Sequence, residues 1–382
     1  LARIEGAPEG IKGISLFIVP KFMVNEDGSL GDKNPVSCGG LEEKMGIHGN
    51  ATCVMNYDGA TGYLIGQENK GMRAMFIMMN EARLGVGLQG LAAAEVANQN
   101  AAAFAKDRLQ SRSLTGPKAP DQPADPIIVH PDVRRMLMDT RAFAEGARAL
   151  TYWASLQEDL SHKSEDEATR QKSSDFMALL TPIIKAYQTH KGFQGTADAM
   201  QVFGGSGYCE EWGMSQFLRD TKIAMIYEGT NGIQALDLVG RKLMAEGGRY
   251  WQTFMAEIDQ WASDNKGTSD TLDGYIDQML AVKDEVMDGI QWLGANGMAN
   301  PDNAGAGSHD FLHLFGLMTY SYMWVMMVKE AEAKVGDSDP FYGNKLITAK
   351  YFFERILPES SLHLTKVKAG AETVMALPAD AF

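Results

Sequence analysis

The stretch MIYEGTNGIQALDL, Met225–Leu238, places one glutamate, Glu228, directly before a Gly-Thr-Asn-Gly segment. The two glycines relax the backbone on either side of two residue types that cap helices well. From Ile233 onward apolar residues recur at helical spacing, and Asn231 with Gln234 has the form of a capping box. We therefore expect Glu228 to lie on a tight turn at the start of a helix.

Two functions fit a glutamate in this place. Acidic residues near helix N-termini are common because they complement the helix dipole. Alternatively, a carboxylate approached by apolar residues, here Ile226 and Tyr227, suits a general base. We expect these two neighbours to be buried, but the residue types alone do not choose between the two functions.

The composition is that of an ordinary globular protein with room for a large core. The 382 residues are 45% hydrophobic and 22% charged, and two or more domains are expected. A net charge of −14 argues against a nucleic-acid partner. Three scattered cysteines predict a reducing compartment, the cytoplasm, without a zinc site or disulfide framework. The longest apolar run, residues 314–328, is too short to predict a membrane span.

The pattern along the chain changes from strand-like to helical. Residues 1–66 are rich in turns and alternate like strands, beginning with a strand, a Gly/Pro turn and a second strand. Because the chain opens at Leu1 inside that first strand, we expect an N-terminal part to be missing. Four helices should follow, at about 71–112, from 132, from 175 with a kink at Pro182, and at 232–245. Between the first two, five prolines predict an irregular surface segment.

Further amphipathic helices are predicted beyond residue 247, at about 250–266, 271–297, 308–335 and 341–357. The predicted fold is therefore mainly α with a partial β module. We expect the end of a β domain at 1–68, a four-helix bundle at 69–246 and an appended helical domain at 247–382.

Three other stretches carry candidate functional residues. QVFGGSGY, Gln201–Tyr208, ends a helix, so its glycines are either a C-terminal cap or a place where a cofactor approaches the backbone. MMNEAR places Asn80 and Arg83 at the start of a long helix, as a solvated first turn or a ligand clamp. DRLQSR ends that helix with Arg108 and Gln110, where basic residues also compensate the dipole.

HDFLH places His309 and His313 four residues apart, a spacing used by pairs of metal ligands. The sequence offers no third ligand at a suitable spacing, and the segment adjoins an apolar run. We therefore predict core histidines and no metal.

The order of these stretches resembles the acyl-CoA dehydrogenase family. FLRDTKIAMIYEGTNGIQ is similar to its Arg-Asp … Tyr-Glu-Gly-Thr segment, and QVFGGSGY is similar to its flavin-contact motif. LEEKMGIHG through MMNEAR resembles the last strands of the family's β domain and the helix that follows. ERILPESSLHL and KAGAETVMAL resemble the C-terminal extension of a subgroup that includes 3-methylmercaptopropionyl-CoA dehydrogenases. The expected fold is that of the family.

The resemblance implies a role for each candidate residue. Glu228 would be the catalytic base. Substrate-binding residues would be Asn80, Arg83, Tyr227 and Gly229. The FAD-binding residues would be Arg108, Gln110, Gln201, Gly204, Gly205, Thr230 and Asn231. Arg108 and Gln110 would contact the flavin pyrophosphate across a subunit boundary, and Gln201, Gly204 and Gly205 would contact the FAD of a neighbouring subunit.

The implied reaction is α,β-dehydrogenation of an acyl-CoA thioester, for instance 3-methylthiopropanoyl-CoA, with the hydride passing to flavin N5. The implied partners are an electron-transfer flavoprotein as acceptor and further copies of the chain in a homodimer or homotetramer. Two alternatives stay open: an acyl-CoA oxidase on the same scaffold, and a non-catalytic helical interaction module.

Overall fold

A computed structural model describes residues 1–336 and 339–382. The chain is mainly helical with a small β module, as predicted, and forms two compact units, residues 1–82 and 83–382. The second unit includes both the predicted bundle and the predicted appended domain. The boundary between these two stays a prediction.

The first unit contains seven short strands in three antiparallel sheets. β1 pairs with β2 and β2 with β7, so the predicted strand, turn and strand at the beginning of the chain are confirmed. β3 pairs with β4, and β5 with β6. The strands are β1 Ala2–Arg3, β2 Ile14–Ile18, β3 Phe22–Val24, β4 Leu30–Lys33, β5 Ser37–Leu41, β6 Cys53–Asn56 and β7 Tyr63–Ile65.

The β5–β6 pair brings together two cysteines that are far apart in sequence. Cys38 and Cys53 are both exposed, and a hydrogen bond with Cys38 raises the pKa of the Cys53 thiol. Both thiols are reduced in the structure.

Eleven α-helices occupy the described residues. The first begins in the first unit and the others belong to the second. They are α1 Gly71–Asp107, α2 Pro131–Lys163, α3 Glu167–Val202, α4 Met214–Lys222, α5 Asn231–Asp237, α6 Arg249–Asn265, α7 Asp270–Ala299, α8 Pro301–Glu332, α9 Phe341–Tyr351, α10 Glu359–Lys368 and α11 Glu372–Met375.

The structure corrects the predicted start of the third helix. The helix was expected from residue 175, after a charged segment, but α3 already begins at Glu167. Asp166 caps this end, because its carboxylate accepts a hydrogen bond of 2.9 Å from the backbone N–H of Thr169. The helix then continues through Pro182. α4, α10 and α11 were not predicted.

α8 is the centre of the core in the second unit. It is long and apolar enough to cross a membrane by length and composition, and it is longer than the apolar run within it. However, 89% of its most apolar window is buried inside the protein. Its apolar surface is therefore covered by α2, α3, α5, α7, α9 and α10.

α1 and α3 come into backbone contact at two glycines. A Cβ atom on Gly192 would lie 2.4 Å from the carbonyl oxygen of Gly90, which is too close for any side chain. This contact fixes the distance between the two helices that approach the candidate site described below.

Gly192→Ala should therefore lower the free energy of unfolding of the protein by about 1–3 kcal/mol, the usual cost of overpacking. Gly274→Ala in α7 is a matched control, since a Cβ atom there meets nothing within 4 Å. Because alanine favours helices, the control should be neutral or slightly stabilising. Denaturant unfolding of both variants measures the difference, and equal stability would contradict the tight contact.

Candidate active site

Glu228 lies on a turn between α4 and α5, in a conformation that side chains rarely adopt. Its φ angle is 57° and that of Gly229 is 84°, so two consecutive residues are left-handed. Gly229 accepts this readily, and a Cβ atom there would lie 2.6 Å from Gln234 Nε2. For Glu228 the conformation is strained, and such strain persists where surrounding contacts enforce it.

The helix that follows is capped differently from the prediction. Thr230 is the N-cap, and its hydroxyl oxygen accepts a hydrogen bond of 3.3 Å from the Ile233 N–H. The predicted capping box of Asn231 and Gln234 is therefore wrong. Asn231 instead binds α3: its Nδ2 donates to the carbonyl of Ala186 at 3.1 Å.

Side chains from three helices hold the carbonyl groups of the turn. The Glu228 carbonyl accepts hydrogen bonds from Arg83 Nε and from Gln234 Nε2, each at 3.3 Å. The Gly229 carbonyl accepts from Lys185 Nζ at 2.8 Å and from Gln234 Nε2 at 3.4 Å. Because Arg83 is on α1, Lys185 on α3 and Gln234 on α5, the turn is fixed from three sides.

The carboxylate of Glu228 is half-buried. Among the residues that the structure describes, its Oε2 atom is buried and has no hydrogen-bond partner. A buried acceptor without a partner costs free energy, so such an atom suggests a role that uses its basicity. Glu228 is therefore available to take a proton from a molecule bound beside it.

Lys185 is a site residue that the sequence analysis missed. Its side chain is fully buried, and burial lowers the pKa of this amine to about 8, with the Arg83 charge lowering it and the Glu228 carboxylate raising it. A signal was present in the sequence. Lys185 is the single charge in the otherwise apolar stretch MALLTPIIKAY, where a charge without a role is costly.

The two residues before Glu228 differ in exposure. Ile226 was expected to be buried but is 49% exposed, since the turn directs it outward. Tyr227 is partly buried, and its hydroxyl donates a hydrogen bond to Gln89 on α1. Burial raises the pKa of the Tyr227 hydroxyl.

Two substrate-binding candidates lie on α1. Arg83 is only 6% exposed and contacts the turn, whereas Asn80 is exposed and belongs to the first unit. The proposed contact of Asn80 with substrate stays a prediction.

Arg108 and Gln110 follow the end of α1, which stops at Asp107 instead of the predicted residue 112. Both side chains are exposed, and Leu109 between them forms a β-bridge with Pro126. The proline-rich segment beyond is ordered, because the buried Asp125 carboxylate accepts hydrogen bonds from three backbone N–H groups and from Arg112. The bond from the Ser113 N–H is the main cause that lowers the pKa of Asp125 to about 2.

Gln201, Gly204 and Gly205 lie at the far end of α3, where all three are exposed. Lys185 and Gln201 are sixteen residues apart on this helix, which corresponds to about 24 Å. The structure therefore separates these FAD candidates from the turn of Glu228, while Thr230 and Asn231 are part of that turn.

The histidines of HDFLH belong to a larger cluster. Rings of His309 and His313 on α8, His190 on α3 and His363 on α10 pack with centroid separations of 4.5 to 5.7 Å. His190 and His363 were not foreseen as neighbours. Within residues 1–336 and 339–382, no three potential ligands are arranged to hold a metal ion.

This cluster should make the protein sensitive to acid. Burial lowers the pKa of His190 to about 4 and that of the buried His313 well below 6.5. Below pH 6.5 the unfolded chain therefore binds more protons than the folded one, and stability falls as the pH falls through this range. The maximal loss in the free energy of unfolding is about 1.4 kcal/mol for every tenfold difference in proton affinity between the folded and the unfolded chain.

Thermal unfolding between pH 7.5 and 5 checks this expectation. His313→Phe keeps an aromatic ring and should weaken the pH dependence of the melting temperature. His162→Gln, at an exposed position on α2, should leave it unchanged. Equal pH dependence in both variants would contradict the role of the cluster.

The donor groups among the candidate residues fit FAD in their chemistry. The exposed guanidinium of Arg108 and the amides of Gln110 and Gln201 can bind phosphate and flavin oxygens. At Gly204 and Gly205 a Cβ atom would meet nothing within 4 Å, so a ligand can approach the backbone there. The residues present are therefore compatible with this cofactor.

Solved structures show that the chain has the acyl-CoA dehydrogenase fold. Crystal structures with this fold include Caenorhabditis elegans ACDH-11 in complex with C11-CoA (20% identity, TM-score 0.71, 96% of this chain and 58% of that one). Another is an acyl-CoA dehydrogenase complexed with FAD from Bacillus anthracis (19% identity, TM-score 0.71, 94% of this chain and 59% of that one).

Sequence comparisons identify the family. Residues 69–244 match the family described as "Acyl-CoA dehydrogenase, C-terminal domain", and residues 254–378 match "Acetyl-CoA dehydrogenase C-terminal like". The chain is 38% identical over 378 residues to 3-methylmercaptopropionyl-CoA dehydrogenase of Ruegeria pomeroyi, covering 98% of this chain and 63% of that protein. The chain belongs to the acyl-CoA dehydrogenase family. It spans about three fifths of the length of these relatives.

Proposed function

We propose that the protein catalyses FAD-dependent α,β-dehydrogenation of an acyl-CoA thioester, with Glu228 as the base. The observation that carries this proposal is the Glu228 carboxylate, whose Oε2 atom is buried without a partner among the described residues, on a turn fixed from three sides. Family membership supports the same reaction.

The chain's own residues would act on the α-carbon of the substrate. The Glu228 carboxylate removes a proton from Cα, which is only weakly acidic, so the thioester oxygen must be stabilised as negative charge develops on it. The backbone N–H of Glu228 suits this task, since the described residues offer it no acceptor. Bound FAD would supply the acceptor for the hydride that leaves Cβ, so that the product would be an enoyl-CoA.

Separate groups of residues would bind the two ligands, FAD and the acyl-CoA substrate. We propose that Thr230 and Asn231 bind FAD, and that Arg108 and Gln110 contact the flavin pyrophosphate across a subunit boundary. Gln201, Gly204 and Gly205 would bind the FAD of another subunit in a homodimer or homotetramer. The separation of about 24 Å along α3 supports such a division. Asn80, Arg83, Tyr227 and Gly229 would contact the substrate.

For the substrate we propose a short acyl-CoA, with 3-methylthiopropanoyl-CoA as the first compound to test. The 38% identity to the Ruegeria pomeroyi enzyme supports this choice. An electron-transfer flavoprotein is the proposed electron acceptor.

The experiment is an assay of the purified full-length protein with a series of acyl-CoA thioesters and an artificial electron acceptor. We expect a yellow protein with bound FAD that oxidises one short acyl-CoA best. Rapid reoxidation of its reduced flavin in air would show an oxidase instead. Absence of both FAD and turnover would favour the helical interaction module.

A further inference from the structure

Lys185 is an ammonium group in the interior of α3 with 0% exposure. Removing a charged amine from water costs several kcal/mol unless compensating contacts are present, so its position needs an explanation. No salt bridge of Lys185 is found in the described part of the chain.

The contacts of Lys185 all lead to the turn that carries Glu228. Its Nζ atom donates to the Gly229 carbonyl at 2.8 Å and to Asn231 Oδ1 at 2.9 Å. These two acceptors flank Thr230, so one ammonium group binds the turn immediately after Glu228 at two points.

α3 supports the same arrangement one helical turn further on. Asn231 Nδ2 donates a hydrogen bond of 3.1 Å to the Thr189 hydroxyl, and that hydroxyl donates its own proton to the Lys185 carbonyl at 2.8 Å. Asn231 is therefore held by hydrogen bonds to a short segment of α3, and Lys185 adds a hydrogen bond from the same segment to Gly229. Gln234 Nε2 donates to the same Gly229 carbonyl at the longer distance of 3.4 Å.

Two charged groups face Lys185. Arg83 on α1 repels its charge and the Glu228 carboxylate attracts it. The ammonium group of Lys185 therefore holds the backbone beside Glu228 while its own charge is attracted by the Glu228 carboxylate.

We propose that Lys185 is a positioning residue for the base. Its ammonium group holds Glu228 and Gly229 in their left-handed conformation through the Gly229 carbonyl, without touching the substrate. This inference rests on the proposed function, because it takes Glu228 as the base.

A dependence on alkaline pH follows. Because the pKa of Lys185 is about 8, the amine loses its proton as the pH rises past this value, and its hydrogen bonds to the turn then lose their charge. Turnover that depends on the ammonium group should decline above pH 8.

The test compares Lys185→Met with Lys191→Met in the FAD-loaded full-length protein. Methionine has nearly the length of the lysine side chain but lacks its charge and its N–H donors. Lys191 is the control, because it lies on the same helix and pairs with Glu359. For Lys185→Met we expect kcat to fall by about 10- to 100-fold, with KM within about twofold and FAD content unchanged. The alkaline decline seen in the wild type should be absent, and Lys191→Met should behave as the wild type.

A second variant and a crystal structure complete the test. Lys185→Gln retains an N–H donor and should keep more turnover than Lys185→Met. Crystal structures should show a positive φ angle at Glu228 in the wild type and its loss in Lys185→Met. Retention of kcat within twofold, or of the positive φ angle in Lys185→Met, would overturn the proposal.

The crystal structures also distinguish failure of the proposed function from failure of the positioning role of Lys185. If the wild type turns over no acyl-CoA, the proposed function fails, and the φ angle of Glu228 still decides whether Lys185 holds the turn. If the wild type is active and the variant keeps its rate, only the positioning role fails.

Discussion

Glu228→Gln is expected to lower kcat by at least about 10²–10⁴-fold, the usual contribution of a positioned general base. Glutamine has nearly the same size and keeps the polar head, but it cannot accept the α-proton. FAD content and melting temperature should change little, because the Oε2 atom has no partner to lose within the described residues. Steady-state turnover, flavin absorbance and thermal unfolding of one variant measure all three quantities.

The chain provides a matched control for this substitution. Glu246 is also a glutamate with a left-handed backbone, φ 51°, but it is exposed and paired with Arg249. Glu246→Gln should keep normal turnover. If Glu228→Gln also keeps near-normal turnover and merely loses a few tenths to about 1 kcal/mol of stability, Glu228 only complements the dipole of α5.

Arg83→Ala is expected to reduce kcat/KM by a factor that corresponds to about 1.5–3 kcal/mol. The guanidinium group is buried and donates to the Glu228 carbonyl, so its loss should lower kcat by loosening the turn. If Arg83 also binds the CoA arm, KM should rise as well, while the flavin spectrum stays unchanged.

The control for Arg83 is Arg141→Ala, which removes an exposed arginine from an i,i+4 pair with Glu145 on α2, while Glu145 keeps its ion pair with Lys345. Such pairs contribute little, and kinetics should not change. Unaltered kcat and KM in Arg83→Ala would show that this residue neither holds the turn nor binds the substrate.

Much of this architecture could be predicted from local patterns. The helical spacing after Ile233 and the turn residues before it correctly placed Glu228 in front of a helix. The appended helices also appeared near their predicted positions, because apolar residues recur along each of them. α8 was predicted to be amphipathic, but its residues 311–325 are buried on every side. Charged residues misled the prediction at α3, whose first turn is solvated but capped by Asp166.

The site itself depends on contacts between distant segments, which no local pattern contains. Lys185 and Gly229 are 44 residues apart, and Arg83 and Glu228 are 145 apart. The left-handed angle of Glu228 is likewise imposed from outside the turn, since glutamate has no local preference for it. The sequence could therefore indicate the acid and the charged residues Arg83 and Lys185, but not that these two residues hold the turn of Glu228.

The strained backbone at Glu228 lowers the stability of the folded protein at the position of the candidate base. A non-glycine residue in this conformation costs on the order of 1–3 kcal/mol, which glycine would largely avoid. Directed evolution that selects only for survival at high temperature would therefore favour loss of the carboxylate. Libraries built on this scaffold should be screened for turnover and thermal stability together, so that thermostable variants without activity are not selected.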